Sequence, residues 1–172
     1  MDLVKPTLAL FAITLCAAIL IGVTYNITQE PIAQQRARTE TEAIIAFFPD
    51  TYTTEHFKIY DSSSLTGYHV SRGVNGEIVG YVFSAAPAGY GGTVYMMVAL
   101  DLSGALKGVQ IISHSETPGL GSVIAEDWFA GQFIGLTERV SFGEIDTVAS
   151  ATISINAVLR GVNDAIEFFE GE

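Results

Sequence analysis

The chain has 172 residues, room for one folded core and an anchor but not for two full cores. Its 8 basic residues stand against 19 acidic ones, a formal net charge of -11 with no Lys or Arg cluster to offset it, so nucleic acid is excluded as a partner. The single cysteine, Cys16, lies in an apolar run, and His56, His69 and His114 lack metal-ligand spacing, so no disulfide, thiolate nucleophile or metal site is expected.

From Thr7 to Ile27 the chain carries no charge, and the next one is Glu30. About 20 such residues cross a bilayer core at about 1.5 Å per residue. Pro6 suits a first helical position and Tyr25 an interfacial ring. The run exceeds the roughly 7–15 residues of a signal-peptide core. Ile13, Thr14 and Leu15 make a poor lipobox before Cys16, so residues 1–28 read as a retained single-pass anchor in contact with lipid. Charge does not orient it, because Lys5 and the α-amino group lie on one side and Arg36 and Arg38 on the other. Residues 29–50 read as a juxtamembrane helix continuing from the membrane, broken at Pro31 and stopped by Pro49 and Asp50.

Residues 51–172 read as one α+β domain. The stretch TYTTEHF is expected to be a polar loop. The β-prone runs FKIYD, GYHVSRG, EIVGYVFSA, TVYMMVALD and ALKGVQIISH then form an antiparallel sheet of four or five strands. Asn75-Gly76 supplies a type I′ hairpin turn, and Leu102, Ser103 and Gly104 a second hairpin. Helices at both ends cover the apolar face. Two loops carry more than a hairpin needs. In Pro87–Gly92, glycines that include Gly91 let the backbone approach a flat or anionic group, with a plain Gly-rich turn as the alternative. In Ser115–Ser122, Pro118 and Gly119 make a turn, Gly121 relaxes the exit, and Leu120 is held out where burial against something is expected. Glu116 is expected in solvent there, and a helix over 123–131 follows.

The chain ends in an amphipathic helix over 153–169, because Ile155, Val158, Leu159, Val162, Ala165, Ile166 and Phe169 recur at three- and four-residue steps. Small and hydroxyl residues precede it: Ala149, Ser150, Ala151, Thr152 and Ser154. First-turn amides and the helix dipole make that end a home for phosphate. The plainer reading is Ser150 or Thr152 as an N-cap. No paired acid and base and no nucleophile elbow appear, so no catalytic residue is assigned.

The run ETPGLG, Glu116–Gly121, and the later run from Asp146 to Thr152 together resemble the FMN-binding domain of the Rnf G subunit and the sodium-pumping Nqr C subunit. In that family the second motif reads Asp, Gly, any residue, Ser or Thr, Gly, Ala, Thr. Asp146, Ala151 and Thr152 match it, whereas Thr147, Ala149 and Ser150 depart. The resemblance covers nearly the whole chain, and the short length is nearer to the Rnf G subunit. It implies FMN joined through a phosphoester to Thr152, with Ser150, Ala151, Ile153 and Ser154 about the phosphate. It further implies Thr117, Gly119, Leu120 and Gly121 along the ring, with Glu116 and Gly91 also in the cofactor site. The implied role is an electron-transfer component of an Rnf-type complex that moves electrons between ferredoxin and NAD and couples the flow to ion transport. Other membrane subunits and a flavin transferase are its implied partners. The N-terminus is implied to lie in the cytoplasm and the domain outside the cytoplasmic membrane. A stand-alone membrane-anchored FMN protein and a non-flavinylated binding module of the same fold remain as alternatives.

Overall fold

The computed structural model describes residues 4–60, 62 and 64–171. Residues 1–3 of the expected anchor, Asp61 at the end of the expected first strand, and Glu172 lie outside the described residues. The chain divides into two compact units between Arg38 and Thr39. Helix α1 (Val4–Phe47) begins in the first, where it is long and apolar enough to cross a membrane. Polar side chains in that run bond back to their own helix. Thr14 and Thr24 hydroxyls donate to the Leu10 and Leu20 carbonyls at 3.0 and 2.9 Å, and Asn26 Nδ2 donates to the Gly22 carbonyl at 2.9 Å. These bonds satisfy the donors within the helix itself. The break expected at Pro31 does not occur, since α1 runs through it unbroken. A proline forfeits one backbone bond, and Gly-free flanks on both sides keep the helix going.

The second unit is built on five antiparallel strands in sequential order: β1 (Thr53–Lys58), β2 (Leu65–Arg72), β3 (Ile78–Ala85), β4 (Tyr95–Leu100) and β5 (Leu106–Ser113). Both faces are covered. Helix α3 (Thr152–Gly171) buries Ile155, Val158, Leu159, Val162, Ala165 and Ile166 on one face against Phe83, Met96, Val98 and Leu100. On the other face the end of α1 sets Ala43, Ile44 and Phe48 against Val82, Met97 and Ala99. Strand β4 is buried on both faces for this reason, so it reads as a continuous apolar run, not an alternating one. Glycines allow the close approach. A Cβ at Gly80 would overlap the Phe48 ring, and one at Gly108 would lie 2.7 Å from Phe47 Cε1.

Three local expectations are corrected. The first strand is displaced into TYTTEHF: β1 is an edge strand exposed at all six residues, so no buried face imposes the alternation by which strands are read. The Asn75-Gly76 turn is not type I′, because Gly76 has φ +84° while among the described residues no non-glycine residue has positive φ. Gly73 N–H donates to the Glu77 carbonyl and Gly76 N–H to the Gly73 carbonyl, which is a turn closed by a bulge at glycine. The helix expected over 123–131 is a chain of short turns: a 3-10 turn at Gly121–Ala125, helix α2 (Asp127–Ala130), and a 3-10 turn at Gly131–Phe133. Extended backbone at Glu126, φ -81° and ψ 141°, separates the first two, so Ile124, Phe129 and Phe133 reach the core without one continuous axis.

The residues that lead to α3 are clasped on each side. Asn163 bonds both the N–H and the carbonyl of Val140, at 2.8 and 2.9 Å. Gln132 does the same for Asp146, at 2.6 and 3.2 Å. These clasps fix the path on which Ser150 and Thr152 arrive.

On the α1 face, His56 and His69 pair across β1 and β2 with ring centroids 4.6 Å apart. Burial and then the neighbouring His56 lower the His69 pKa from 6.5 to about 4. The folded state therefore favours neutral His69, and its contribution to stability is full above pH 6.5 and lost as pH falls toward 4. His69→Gln is expected to lose less stability than the wild type over that interval in denaturant titrations, and parallel curves would dismiss the assignment.

Candidate functional site

Strand β5 delivers the chain to the loop at Ser115–Ser122, where the Glu116 N–H donates to His114 Nδ1 at 3.2 Å. The Glu116 side chain turns inward, and only 5% of the residue is exposed, which corrects the expectation of a solvated position. Its Oε1 accepts the Gly91 N–H at 3.1 Å, and its Oε2 accepts the Ser154 hydroxyl in the first turn of α3. Among the described residues no Lys, Arg or His side chain pairs with it. Two loops and a helix start thus meet at one carboxylate.

Nearby glycines are accounted for by that meeting. A Cβ at Gly89 would overlap Glu116 Oε1, and one at Gly91 would overlap the Ser115 carbonyl. At Gly121 it would lie 2.5 Å from Ser154 Oγ and 2.7 Å from Glu116 Oε2. The close approach for which the Pro87–Gly92 loop is suited is therefore made to the protein's own Ser115 and Glu116.

Above the carboxylate lies a cleft of about 580 Å3 lined by Tyr90, Glu116, Thr117, Leu120, Gly121, Ser150, Thr152, Ile153 and Ser154. Thr152 is the first residue of α3 and is exposed. The Ala151 carbonyl accepts the first helical bond from Ile155 at 2.9 Å, so Ala151, not Ser150 or Thr152, holds the cap position. Alanine has no side-chain acceptor, which leaves the first-turn amides for another one. Tyr90, Leu120 and Ile153 stand around the cleft 71%, 45% and 54% exposed, an apolar rim that no partner among the described residues covers.

Three residues expected at the site do not line the cleft. Ala151 is buried, Gly91 supplies its N–H to Glu116, and Gly119, at φ +74°, turns the loop while its N–H donates to Ser122 Oγ at 2.9 Å. Tyr90 lines the cleft although the sequence reading does not place it there. An exposed aromatic residue between two glycines is the available signal.

Fold and cleft together define a helix-tethered α+β domain whose polar and apolar cleft walls meet at a helix N-terminus. A family model described as an FMN-binding domain matches residues 89–167, which include the whole cleft. The chain is 30% identical over 186 residues to the G subunit of the ion-translocating oxidoreductase complex of Vibrio vulnificus strain YJ016, spanning 94% of this chain and 86% of that one. It is 28% identical over 182 residues to the protein of the same name in Methanosarcina acetivorans, spanning 99% and 96%. It is also 28% identical over 178 residues to the G subunit of the proton-translocating ferredoxin:NAD+ oxidoreductase complex of Clostridium ljungdahlii, spanning 95% and 93%. The chain belongs to the family of the G subunits of ion-translocating oxidoreductase complexes, of the Rnf type, and carries its FMN-binding domain.

Ser154→Ala would leave one oxygen of a buried carboxylate unpaired. A loss of about 1–3 kcal/mol of folding stability is expected by urea denaturation. Thr152→Ala, at an exposed position, is expected to stay within about 0.5 kcal/mol of the wild type. Equal losses in the two variants would show that the Glu116 bond has no special weight.

Proposed function

We propose that this protein is a membrane-anchored electron-transfer component of an Rnf-type ion-translocating oxidoreductase complex, with FMN held by a phosphoester on Thr152. The observation that carries this reading is the placement of Thr152. Its side chain stands at the start of α3, in one cleft with Leu120 and Gly121 of the other motif.

The residues fit the group. About 580 Å3 is within the usual range of a cofactor site, roughly 300–1,000 Å3. The donor set suits a phosphate, since α3 opens on uncapped amides at its positive end beside Thr152, Ser150 and Thr117. The rim of Tyr90, Leu120 and Ile153 suits a flat aromatic ring that needs cover. A bound flavin supplies one- and two-electron redox chemistry. The chain's part is to hold: Thr152 tethers, the amides of Ile153 and Ser154 offset phosphate charge, and the apolar rim excludes water from one end. Thr117 and Gly121 shape the wall along which the ring rests, and Gly119 turns the loop that carries them. Covalent attachment suits a domain facing a compartment where free FMN is dilute.

The partners in this reading are the other membrane subunits of the complex, a flavin transferase for maturation, and lipid around residues 1–28. Residues 29–50 form the link and residues 51–172 the cofactor domain. The N-terminus lies in the cytoplasm and the domain outside the cytoplasmic membrane, with electrons passing between ferredoxin and NAD elsewhere in the complex.

Mass spectrometry of the full chain, produced with and without a flavin transferase, tests the attachment. A gain of one FMN less one water is expected with the transferase, absent in Thr152→Ala and kept in Ser150→Ala. An unshifted wild type, or the same gain in Thr152→Ala, would overturn it.

A further inference from the structure

Glu116 is a buried charge with inexpensive alternatives. A neutral amide could brace Gly91 and Ser154 as well, its oxygen accepting the Gly91 N–H and its NH2 donating to a Ser154 hydroxyl turned to accept, without the cost of taking a carboxylate out of water. The position nevertheless holds a carboxylate, 5% exposed, in the wall of the cleft that contains Thr152 and Leu120. Both donors to it are neutral, and among the described residues no cation pairs with it. Poor screening extends the reach of such a charge across the cleft. A fixed negative charge there disfavours the gain of electrons by any group held beside it, and charge near the ring is one of the main levers a protein has on a flavin.

Resting on the flavin reading above, we propose that Glu116 is the residue that holds the reduction potential of the bound flavin low, in addition to bracing the cleft. The three glycines at 89, 91 and 121 belong to the same device, because a Cβ at any of them would displace the carboxylate or the strand of loop beside it. The helix start adds the opposing influence. Its positive end attracts both a phosphate at Thr152 and the carboxylate at Ser154, so Glu116 takes up part of the field that would otherwise favour the reduced, more negative cofactor.

The test is a spectroelectrochemical titration of flavin absorbance in the full chain, produced with flavin transferase in detergent, for wild type, Glu116→Gln and Glu116→Asp. Glu116→Gln keeps the shape and removes the charge. The flavin it carries is expected to titrate at a more positive potential than that of the wild type. Glu116→Asp keeps the charge and is expected to stay near the wild-type potential. An unchanged or more negative potential in the Gln variant overturns the inference. So does a positive shift in the Asp variant as large as that in the Gln variant, or any clear positive shift in Asp alone should Gln fail to fold. A wild type that carries no flavin fails the attachment reading instead, whereas equal potentials in yellow wild type and yellow Gln variant reject the role of Glu116 alone.

Discussion

The Glu116 carboxylate, shared between the Ser154 hydroxyl and the Gly91 amide, is the contact on which the cleft depends. It joins the glycine loop before β4, the loop after β5, and the first turn of α3, three segments with no local reason to meet. Buried polar atoms demand partners, and a carboxylate demands them at both oxygens, so the geometry around Glu116 is specified far more tightly than an apolar contact would specify it. Glycine at 89, 91 and 121 is the steric counterpart of that demand.

The sheet supplies the platform. With α3 on one face and the end of α1 on the other, β3 and β4 are immobilised by packing on both sides, and the loops leaving β3 and β5 inherit that rigidity. Gly161 lets α3 lie close over Met96 and Ala85, and the paired clasps at Val140 and Asp146 bring the incoming chain to its start. Apolar burial thus sets the height of the helix above the sheet, while a few directional bonds set where its N-terminus points. A site meant to hold a cofactor at fixed distance gains from being built at the end of such packed elements rather than on a free loop.

Tether and domain share one helix. The apolar run of α1 satisfies its own polar side chains, and the same helix ends with Ala43, Ile44 and Phe47, followed by Phe48, packed against the sheet. The chain's net charge of -11 disfavours nucleic acid as a partner.

Local periodicity makes much of this legible. Charge-free Thr7–Ile27, the β-prone runs from Gly67 to His114, and the three- and four-residue steps from Ile155 to Phe169 each report a nearest-neighbour pattern, and each forms the element it implies. Where no face is buried, as at Thr53–Lys58, the pattern is silent and the strand leaves no mark to read. Where apolar residues reach the core from separate short turns, as at Ile124, Phe129 and Phe133, their spacing imitates a helix that Glu126 interrupts. The motif residues Thr152, Leu120 and Gly121 stand out in the chain itself. That Glu116 is buried, that Tyr90 completes the cleft and that Ala151 caps the helix are decided only in three dimensions. The carboxylate's bonds join residues 25 and 38 positions apart, and a hydrogen bond across such a loop leaves no period in the sequence to read.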